Sequence, residues 1–207
     1  MPRMARAEGM DMRKLILGVG VACALALSGT ARSDSPEPTC ASCPGTYISG
    51  EELLEYLKKA IAEKRLDQQV RDVDIGKAHV AIGIVHRGKL DAPLPFSVAE
   101  HDQVSEIYHV MDGSGTLVLG PDLIDQKRRP ADDPAVRLLN GPGANAAAIR
   151  NGVAYQLRAG DVVIIPAGTG HWFTRIDEHI DYLMVRIDPD KVTPLRGEPE
   201  SRAYLQK

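Results

Sequence analysis

The sequence lacks an excess of basic residues, a long hydrophobic run, an internal repeat and any low-complexity tract. It has 25 lysines and arginines against 28 aspartates and glutamates, and this balance argues against nucleic-acid binding, which normally needs a basic face. The apolar run at residues 15–27 has only 13 residues, which is too short to span a bilayer comfortably. Cysteines are also few, with three in 207 residues. This composition is typical of one small domain behind an export signal.

Residues 1–31 have the organisation of a signal peptide. Arg13 and Lys14 form a basic start, the apolar run follows, and small residues at 29–31 suit a signal peptidase. We therefore expect a cleaved signal and a periplasmic or secreted protein without a stable membrane anchor. The alternatives are an uncleaved anchor or a lipoprotein signal ending at Cys23. Removal of residues 1–31 leaves 21 basic and 26 acidic residues, a net charge near −5.

A Cys-Ala-Ser-Cys segment lies in the predicted linker, residues 32–48. Cys40 and Cys43 are followed by Pro44, and in an oxidising compartment two thiols so close tend to form a local disulfide. A redox pair and a metal site are the alternatives. The prolines around the segment favour an irregular chain over the strand and helix that a thioredoxin-like pair requires.

An amphipathic helix is predicted after the linker, within residues 49–67. Ser49 and Glu52 form a capping-box pattern, and apolar residues then recur at helical spacing over residues 50–65. We expect this helix to pack on the main domain, with membrane association as the alternative.

The pattern changes to short strands from Lys77 onward, and residues 68–190 are predicted to form an all-β barrel. The candidate strands are residues 78–86, 96–101, 105–111, 115–119, 153–158, 161–165, 171–176 and 180–188. Residues 120–150 are too long for an ordinary hairpin connection and are predicted either to cover the mouth of a site or to form a surface insertion. The tail, residues 191–207, is expected to be extended or loosely docked.

Two segments about sixty residues apart carry residue types that bind metals. In the first, Glu106 and Tyr108 share one face of a strand, and His101 lies across a short turn. In the second, His171 follows a bend at Pro166. Two imidazoles and one carboxylate that converge inside a β-structure form the ligand set of open divalent-metal sites.

The two segments resemble the motifs of the cupin superfamily. In the first family motif, four residues separate the second histidine from a glutamate and six separate that glutamate from a glycine, as between His101, Glu106 and Gly113. The second motif is matched at Gly160, Pro166, Gly168 and His171. The sequence departs from the family at three positions, where Ala99 replaces the first histidine, Pro93 the opening glycine and Arg175 the closing asparagine.

The resemblance implies a double-stranded β-helix, the jelly-roll cupin barrel, preceded here by one α-helix. It also implies one divalent metal ion (Fe, Mn, Ni or Zn) bound by His101, Glu106 and His171. Tyr108 is the candidate for proton transfer. Arg186 is the candidate for binding a substrate carboxylate if its face of the last strand lines the cavity.

The remaining histidines have weaker assignments. Strand alternation predicts that His109 lies opposite Glu106, on the exterior or at an interface. His79 and His86 flank one strand, and His86 is a minor candidate for the pocket. His179 is expected in a solvated turn.

Two classes of function fit these predictions. The first is an exported metal-dependent cupin enzyme, of dioxygenase, lyase, decarboxylase or isomerase type, acting on a small oxygen-rich or carboxylated molecule. The alternative is a non-catalytic cupin that binds a small molecule, which the loss of a ligand at Ala99 favours. A structural or storage role is weaker, and a homodimer is compatible with all three.

Overall fold

The structure is a computed structural model that describes residues 37–40 and 42–207. The predicted signal peptide, residues 1–31, lies outside this part of the chain. Within it, no helix is both long and apolar enough to cross a membrane. Cys40 and Cys43 are joined by the predicted disulfide, with their Cα atoms 5.5 Å apart.

Eleven strands and two helices make up the described chain. In order they are α1 (Gly50–Ala62), β1 (Asp67–Asp74), β2 (His79–Leu90), β3 (Val98–His101), β4 (Ser105–Gly120), β5 (Leu123–Ile124), β6 (Lys127–Arg128), β7 (Gly143–Ala146), β8 (Ala148–Ile149), β9 (Val153–Arg158), β10 (Val162–Ile165), β11 (Gly170–Asp188) and α2 (Glu198–Leu205). A π-helical turn at Val136–Asn140 precedes β7.

Antiparallel pairing arranges nine of these strands as two facing layers, and β5 pairs separately with β8. The first layer has the order β1, β2, second half of β11, first half of β4, β10. The second has the order β6, β7, β3, first half of β11, second half of β4, β9. The predicted all-β double-stranded β-helix is therefore confirmed, with β4 and β11 running through both layers.

The bends of β4 and β11 merge strands that the sequence analysis separates. The pairing of the two strands shifts register between Ile176 and Ile180, opposite Gly113. Gly113 has φ of +76°, and a Cβ on it would collide with the carbonyl of His179. Glycine alone tolerates this combination, because it has no Cβ and adopts positive φ readily. The glycine that closes the first motif therefore makes the bend possible.

The main core fills the space between the two layers. It contains the inward side chains of β4, β10 and β11, among them Leu117, Ile165, Phe173 and Ile180, each at most 6% exposed. Side chains along β10 alternate between the core and the surface, because Val163 and Ile165 are buried while Val162 and Ile164 are exposed. Burial of this apolar area is the main force that holds the layers together.

Both helices pack against the first layer, on the face away from the main core. Tyr56 and Leu57 of α1 are buried with Val70 and Ile84, which confirms the predicted N-terminal helix and its packing. Ser49 caps α1 by accepting the Glu52 amide at 3.1 Å.

The Glu52 side chain does not reach back to complete the predicted capping box. It instead binds Arg71 of β1 at 2.6 Å and Arg202 of α2 at 3.0 Å. It therefore links both helices to the edge of the barrel.

Three features differ from the sequence predictions. Strand β1 precedes the predicted start of the β region at Lys77. The segment 120–150 is neither disordered nor a simple surface insertion, because β7 pairs with β3 inside the second layer. The tail is not extended throughout, since it holds helix α2, whose Tyr204 stacks on Tyr56 with ring centres 6.1 Å apart.

The packing of the two layers predicts a strong effect for Leu117→Ala. Leu117 is fully buried, so the truncation should lower the free energy of unfolding by about 2–5 kcal/mol. Leu54→Ala is the control, because Leu54 lies on α1 with 46% of its surface exposed, and its change should stay within about 0.5 kcal/mol. Urea unfolding measures both. Equal losses in the two variants would show that the main core does not lie between the layers.

Candidate metal centre

The three predicted ligand residues come from three different strands and face one another inside the barrel. Glu106 lies near the start of β4 in the first layer, whereas His101 ends β3 and His171 begins β11 in the second layer. All three are buried, with between 2% and 6% of their surface exposed. One ligand atom from each residue lies within 4.8 Å of the other two. The structure therefore brings the predicted set together, and the role of its members as ligands stays a prediction.

The turn between β10 and β11 fixes the two histidines relative to each other. The amide of Gly168 donates to the carbonyl of His101 at 2.7 Å, and the amide of Ala167 donates to the hydroxyl of Ser105 at 3.0 Å. Gly168 has φ of +80°, which glycine adopts without the steric penalty that a Cβ brings. The Pro-x-Gly bend of the second motif is thus attached to the first motif.

The spacing of the ligand atoms fits a shared cation better than direct hydrogen bonds. Nε2 of His101 lies 3.4 Å from one Glu106 oxygen, and Nε2 of His171 lies 3.5 Å from the other. A nitrogen–oxygen hydrogen bond is shorter, about 2.7–3.2 Å. Two ligands at about 2.1 Å from a tetrahedral metal are separated by about 3.4 Å. A single divalent ion between these atoms therefore needs little rearrangement.

The Glu106 carboxylate is held by two further side chains. The Tyr108 hydroxyl donates to one oxygen at 2.8 Å, and Nε of Arg186 donates to the other at 3.2 Å. Burial by itself would raise the pKa of Glu106, but the neighbouring histidines and Arg186 outweigh it and hold that pKa well below the usual value. Glu106 is therefore an anion at neutral pH.

Arg186 faces the cavity but is engaged by the protein. Besides Glu106 it pairs with Asp67 and donates to the side-chain oxygen of Gln69 at 3.3 Å. The condition of the prediction is met, because Arg186 lines the cavity. That it binds a substrate carboxylate stays a prediction, and two carboxylates of the chain already pair with its guanidinium. Glu106 and Asp67 thus share this guanidinium as their direct ion-pair partner, and Arg87 and Arg129 line the same cavity.

The hydrogen bonds of the two imidazoles set their tautomers. Nδ1 of His171 lies 3.2 Å from the carbonyl of Thr169. A carbonyl only accepts, so this nitrogen carries the proton and the Nε2 lone pair faces Glu106, as ligation requires. Burial lowers the pKa of His171 to about 4, so the ring is neutral at pH 7. Nδ1 of His101 instead lies 3.4 Å from Nη1 of Arg129. A guanidinium only donates, so in this contact Nε2 of His101 carries the proton, and ligation through Nε2 requires Arg129 to release Nδ1.

Tyr108 lies beside the candidate ligands, with its ring edge-on to His171 at 6.3 Å between centres. Burial and the adjacent Glu106 raise its pKa well above the usual value. The phenol therefore keeps its proton, and Tyr108 can donate a hydrogen bond or a proton but is unsuited to act as a base.

A cavity of about 300 Å³ contains these groups and several that the sequence analysis missed. It is also lined by Arg87 of β2, by Tyr182 of β11, and by Arg129, Asn140 and Asn145 of the segment 120–150. Their positions depend on pairing between distant strands, so no local motif marks them.

The other four histidines lie away from the candidate centre. His109 is exposed on β4, opposite Glu106, as predicted. His79 is buried against the carbonyl of Thr193, and His86 bonds Asp181 at 2.6 Å. His179 is half-buried near Asp112 and lies within β11, not in the predicted solvated turn.

Similarity to known proteins is found among solved structures. No family model and no curated protein matches the chain. Among solved structures, a cupin protein from Bacteroides fragilis is similar at 19% identity and a TM-score of 0.33, over 56% of this chain and 72% of that one. A double-stranded β-helix protein from Klebsiella pneumoniae is similar at 15% identity and a TM-score of 0.39, over 74% and 99%.

A third similar structure is a DMSP lyase from Ruegeria pomeroyi, at 17% identity and a TM-score of 0.33, over 56% of this chain and 41% of that one. The neighbours thus include cupin proteins, as the two motifs predict. The assignment of the fold rests on the strand pairing described above, and these TM-scores carry no argument about activity.

The double pairing of Arg186 predicts that Arg186→Met is strongly destabilising. The substitution leaves Glu106 and Asp67 buried without their common partner, and removal of one member of a buried ion pair costs about 3–5 kcal/mol. The control is Arg175→Met, since Arg175 has 68% of its side chain exposed and should change stability by less than about 1 kcal/mol. Urea unfolding in the presence of a chelator provides the measurement. An unchanged midpoint for Arg186→Met would refute the pairing.

The low pKa of His171 predicts a specific loss of stability in acid. In metal-free protein the folded state keeps this ring neutral down to about pH 4, whereas the unfolded chain protonates it below about pH 6.5. The unfolded state therefore binds more protons between these values, and stability falls as the pH falls through this window.

His171→Gln removes the imidazole that takes up a proton on unfolding. The free energy of unfolding of this variant should therefore decline by about 2–3 kcal/mol less than that of the unmutated protein between pH 7 and 4.5. The exposed His109, changed to Gln, is the control and should keep the original pH profile. Parallel profiles for His171→Gln and the unmutated protein would contradict the buried neutral imidazole.

Proposed function

We propose that this protein is an exported, divalent-metal-dependent enzyme of the cupin type that acts on a small oxygen-rich or carboxylated molecule. The observation that carries the proposal is the buried convergence of His101, Glu106 and His171, with nitrogen–oxygen distances of 3.4 and 3.5 Å. This set of two histidines and one carboxylate suits Fe, Mn, Ni or Zn with open positions.

Three further features support a cation at this place. Glu106 is ionised inside the barrel, and Arg186 balances only one of the two carboxylates that it contacts. His171 presents the lone pair of Nε2 toward Glu106. An ionised carboxylate is costly to keep away from water, and a divalent ion bound here would give Glu106 a further direct positive partner.

The side chains around the centre have different roles in the proposed reaction. A bound divalent metal would polarise a carbonyl or carboxyl group of the substrate or stabilise an enolate. Arg186 and Tyr108 fix the two oxygens of Glu106 and so orient the carboxylate. Tyr108, protonated at neutral pH, donates its hydroxyl proton to Glu106, so it would donate a hydrogen bond toward a developing negative charge only by exchanging that partner.

The second candidate function is a non-catalytic cupin that binds a small molecule. Ala99 favours it, because it removes the histidine that the family places there. The retained ionised Glu106 favours the enzyme, because a simple binding pocket gains little from a buried carboxylate. Export is supported by the Cys40–Cys43 disulfide, a bond that persists mainly in oxidising compartments.

Metal analysis after reconstitution tests the proposal. The unmutated protein should retain about one Fe, Mn, Ni or Zn ion per chain. His171→Ala should lose most of it, since even loss of a side chain that only orients a ligand lowers metal affinity about 10–100-fold. His109→Ala is the matched control and should retain the metal, because His109 is exposed on the same strand as Glu106.

Two outcomes would overturn the proposal. One is an unmutated protein that holds none of these metals after supplementation. The other is a bound metal that His171→Ala leaves in place.

A further inference from the structure

Arg87 differs from the other two arginines that line the cavity. Arg186 is paired with two carboxylates. Arg129 donates through Nε to Asn145 at 3.0 Å and through Nη2 to two backbone carbonyls at 2.9 and 3.0 Å. Arg87 donates only through Nε, to the Tyr182 hydroxyl at 3.0 Å. Within residues 37–40 and 42–207, no carboxylate lies within 4.0 Å of the Arg87 guanidinium and no protein acceptor binds its terminal nitrogens.

The surroundings hold the Arg87 guanidinium in place without neutralising it. Its central carbon lies 4.9 Å from the centre of the Phe173 ring, which is a favourable position for a cation over an aromatic face. The hydroxyl of Tyr182 fixes Nε on another side. Arg87 is half-buried, and its terminal nitrogens have no acceptor among the described residues. These nitrogens are therefore oriented in advance for an anion that contacts them directly.

Ala99 provides the space for that anion. It stands where cupins have their first histidine, and it is the direct cross-strand partner of His171. Ala99, Arg87 and His171 line both the main cavity and a smaller adjoining cavity of about 60 Å³. The short side chain thus leaves a continuous path from the candidate metal centre to the guanidinium.

The walls of the smaller cavity indicate the rest of the ligand. They include Leu90, Leu94 and Phe173, with Ser97 as the one hydroxyl. A single available guanidinium matches a single carboxylate, which accepts two parallel N–H donors. The apolar walls favour a short hydrocarbon body over a second charged group.

We propose that Arg87 is the group that recognises the substrate and that the substrate is a small monocarboxylic acid with an apolar body. Its carboxylate lies between Arg87 and the space beside Ala99. This inference rests on the proposed function in one respect, namely that the cavity at His101, Glu106 and His171 is the ligand site. It replaces the sequence-based assignment of Arg186 to the same task.

Calorimetric titration of the purified protein tests the inference. The probes are butyrate and benzoate, each with its neutral amide, butyramide and benzamide. Titrations are made with chelator-treated protein and again with zinc-loaded protein. At least one acid should bind in one or both states, and its amide should bind at least about 10-fold more weakly, because only the acid forms charge-assisted hydrogen bonds.

Arg87→Gln should lower the affinity for the acid about 10-fold or more. Arg87→Lys keeps the charge but loses the planar pair of donors. The affinity of this variant for the acid should therefore lie between those of the unmutated protein and of Arg87→Gln. Lys89→Gln is the charge-matched control, because Lys89 is an exposed residue of the same strand, and it should bind as the unmutated protein does. Circular dichroism checks that each variant is folded. If Arg87→Gln does not fold, Arg87→Lys takes its place as the test variant.

The outcomes separate this inference from the proposed function. Acid binding that depends on Arg87 in a protein that holds no metal would support the inference and refute the metal enzyme. A protein that binds metal through His171 but shows equal affinity for acid and amide, or equal affinity in the Arg87 variants, would refute the inference alone. Failure of both acids to bind in both states would also refute it.

Discussion

The ionised carboxylate of Glu106, buried between two β layers, is the interaction on which the rest of the structure depends. A charge in this position needs partners, and the chain supplies them from several directions. Arg186 stands directly across from it on the neighbouring strand, Tyr108 donates to it from two residues along its own strand, and two imidazoles face it from the opposite layer. Arg186 is shared with Asp67, so Glu106 has no cation of its own. A divalent ion bound here would supply one, and this links the electrostatics of the fold to the proposed function.

The barrel topology explains how such a centre forms from distant residues. Strands β4 and β11 bend and pass through both layers, so β11 carries His171 at one end and Arg186 near the other. The bend beyond β10 bonds to the carbonyl of His101, which holds the two histidines in register. At Ala99 the layer presents a methyl group in place of a third imidazole. The space that Ala99 leaves reaches Arg87. Ala99 therefore both departs from the family motif and gives a ligand access to a guanidinium that has no carboxylate partner.

Much of the fold and of the candidate centre could be predicted from the sequence, because it depends on the spacing of residues that are close together in the chain. The intervals between His101, Glu106 and Gly113, and between Pro166 and His171, identify the strands and the turn, and alternation correctly places His109 outside. What could not be predicted depends on contacts between distant parts of the chain. Arg186 meets Asp67 119 residues away, and no periodicity reveals that this guanidinium is occupied. Helix α2 has a weak apolar pattern and docks through Arg202 and Tyr204 onto α1. The short strands of segment 120–150 are too brief to show a period of two.

Anomalous diffraction from crystals of the metal-loaded protein, recorded at the absorption edge of the metal, tests the central claim most directly. We expect one strong peak between the two layers, about 2.0–2.2 Å from the Nε2 atoms of His101 and His171 and from a carboxylate oxygen of Glu106. A loaded crystal whose anomalous peaks lie elsewhere, with Glu106 contacted only by Arg186 and Tyr108, would contradict the account.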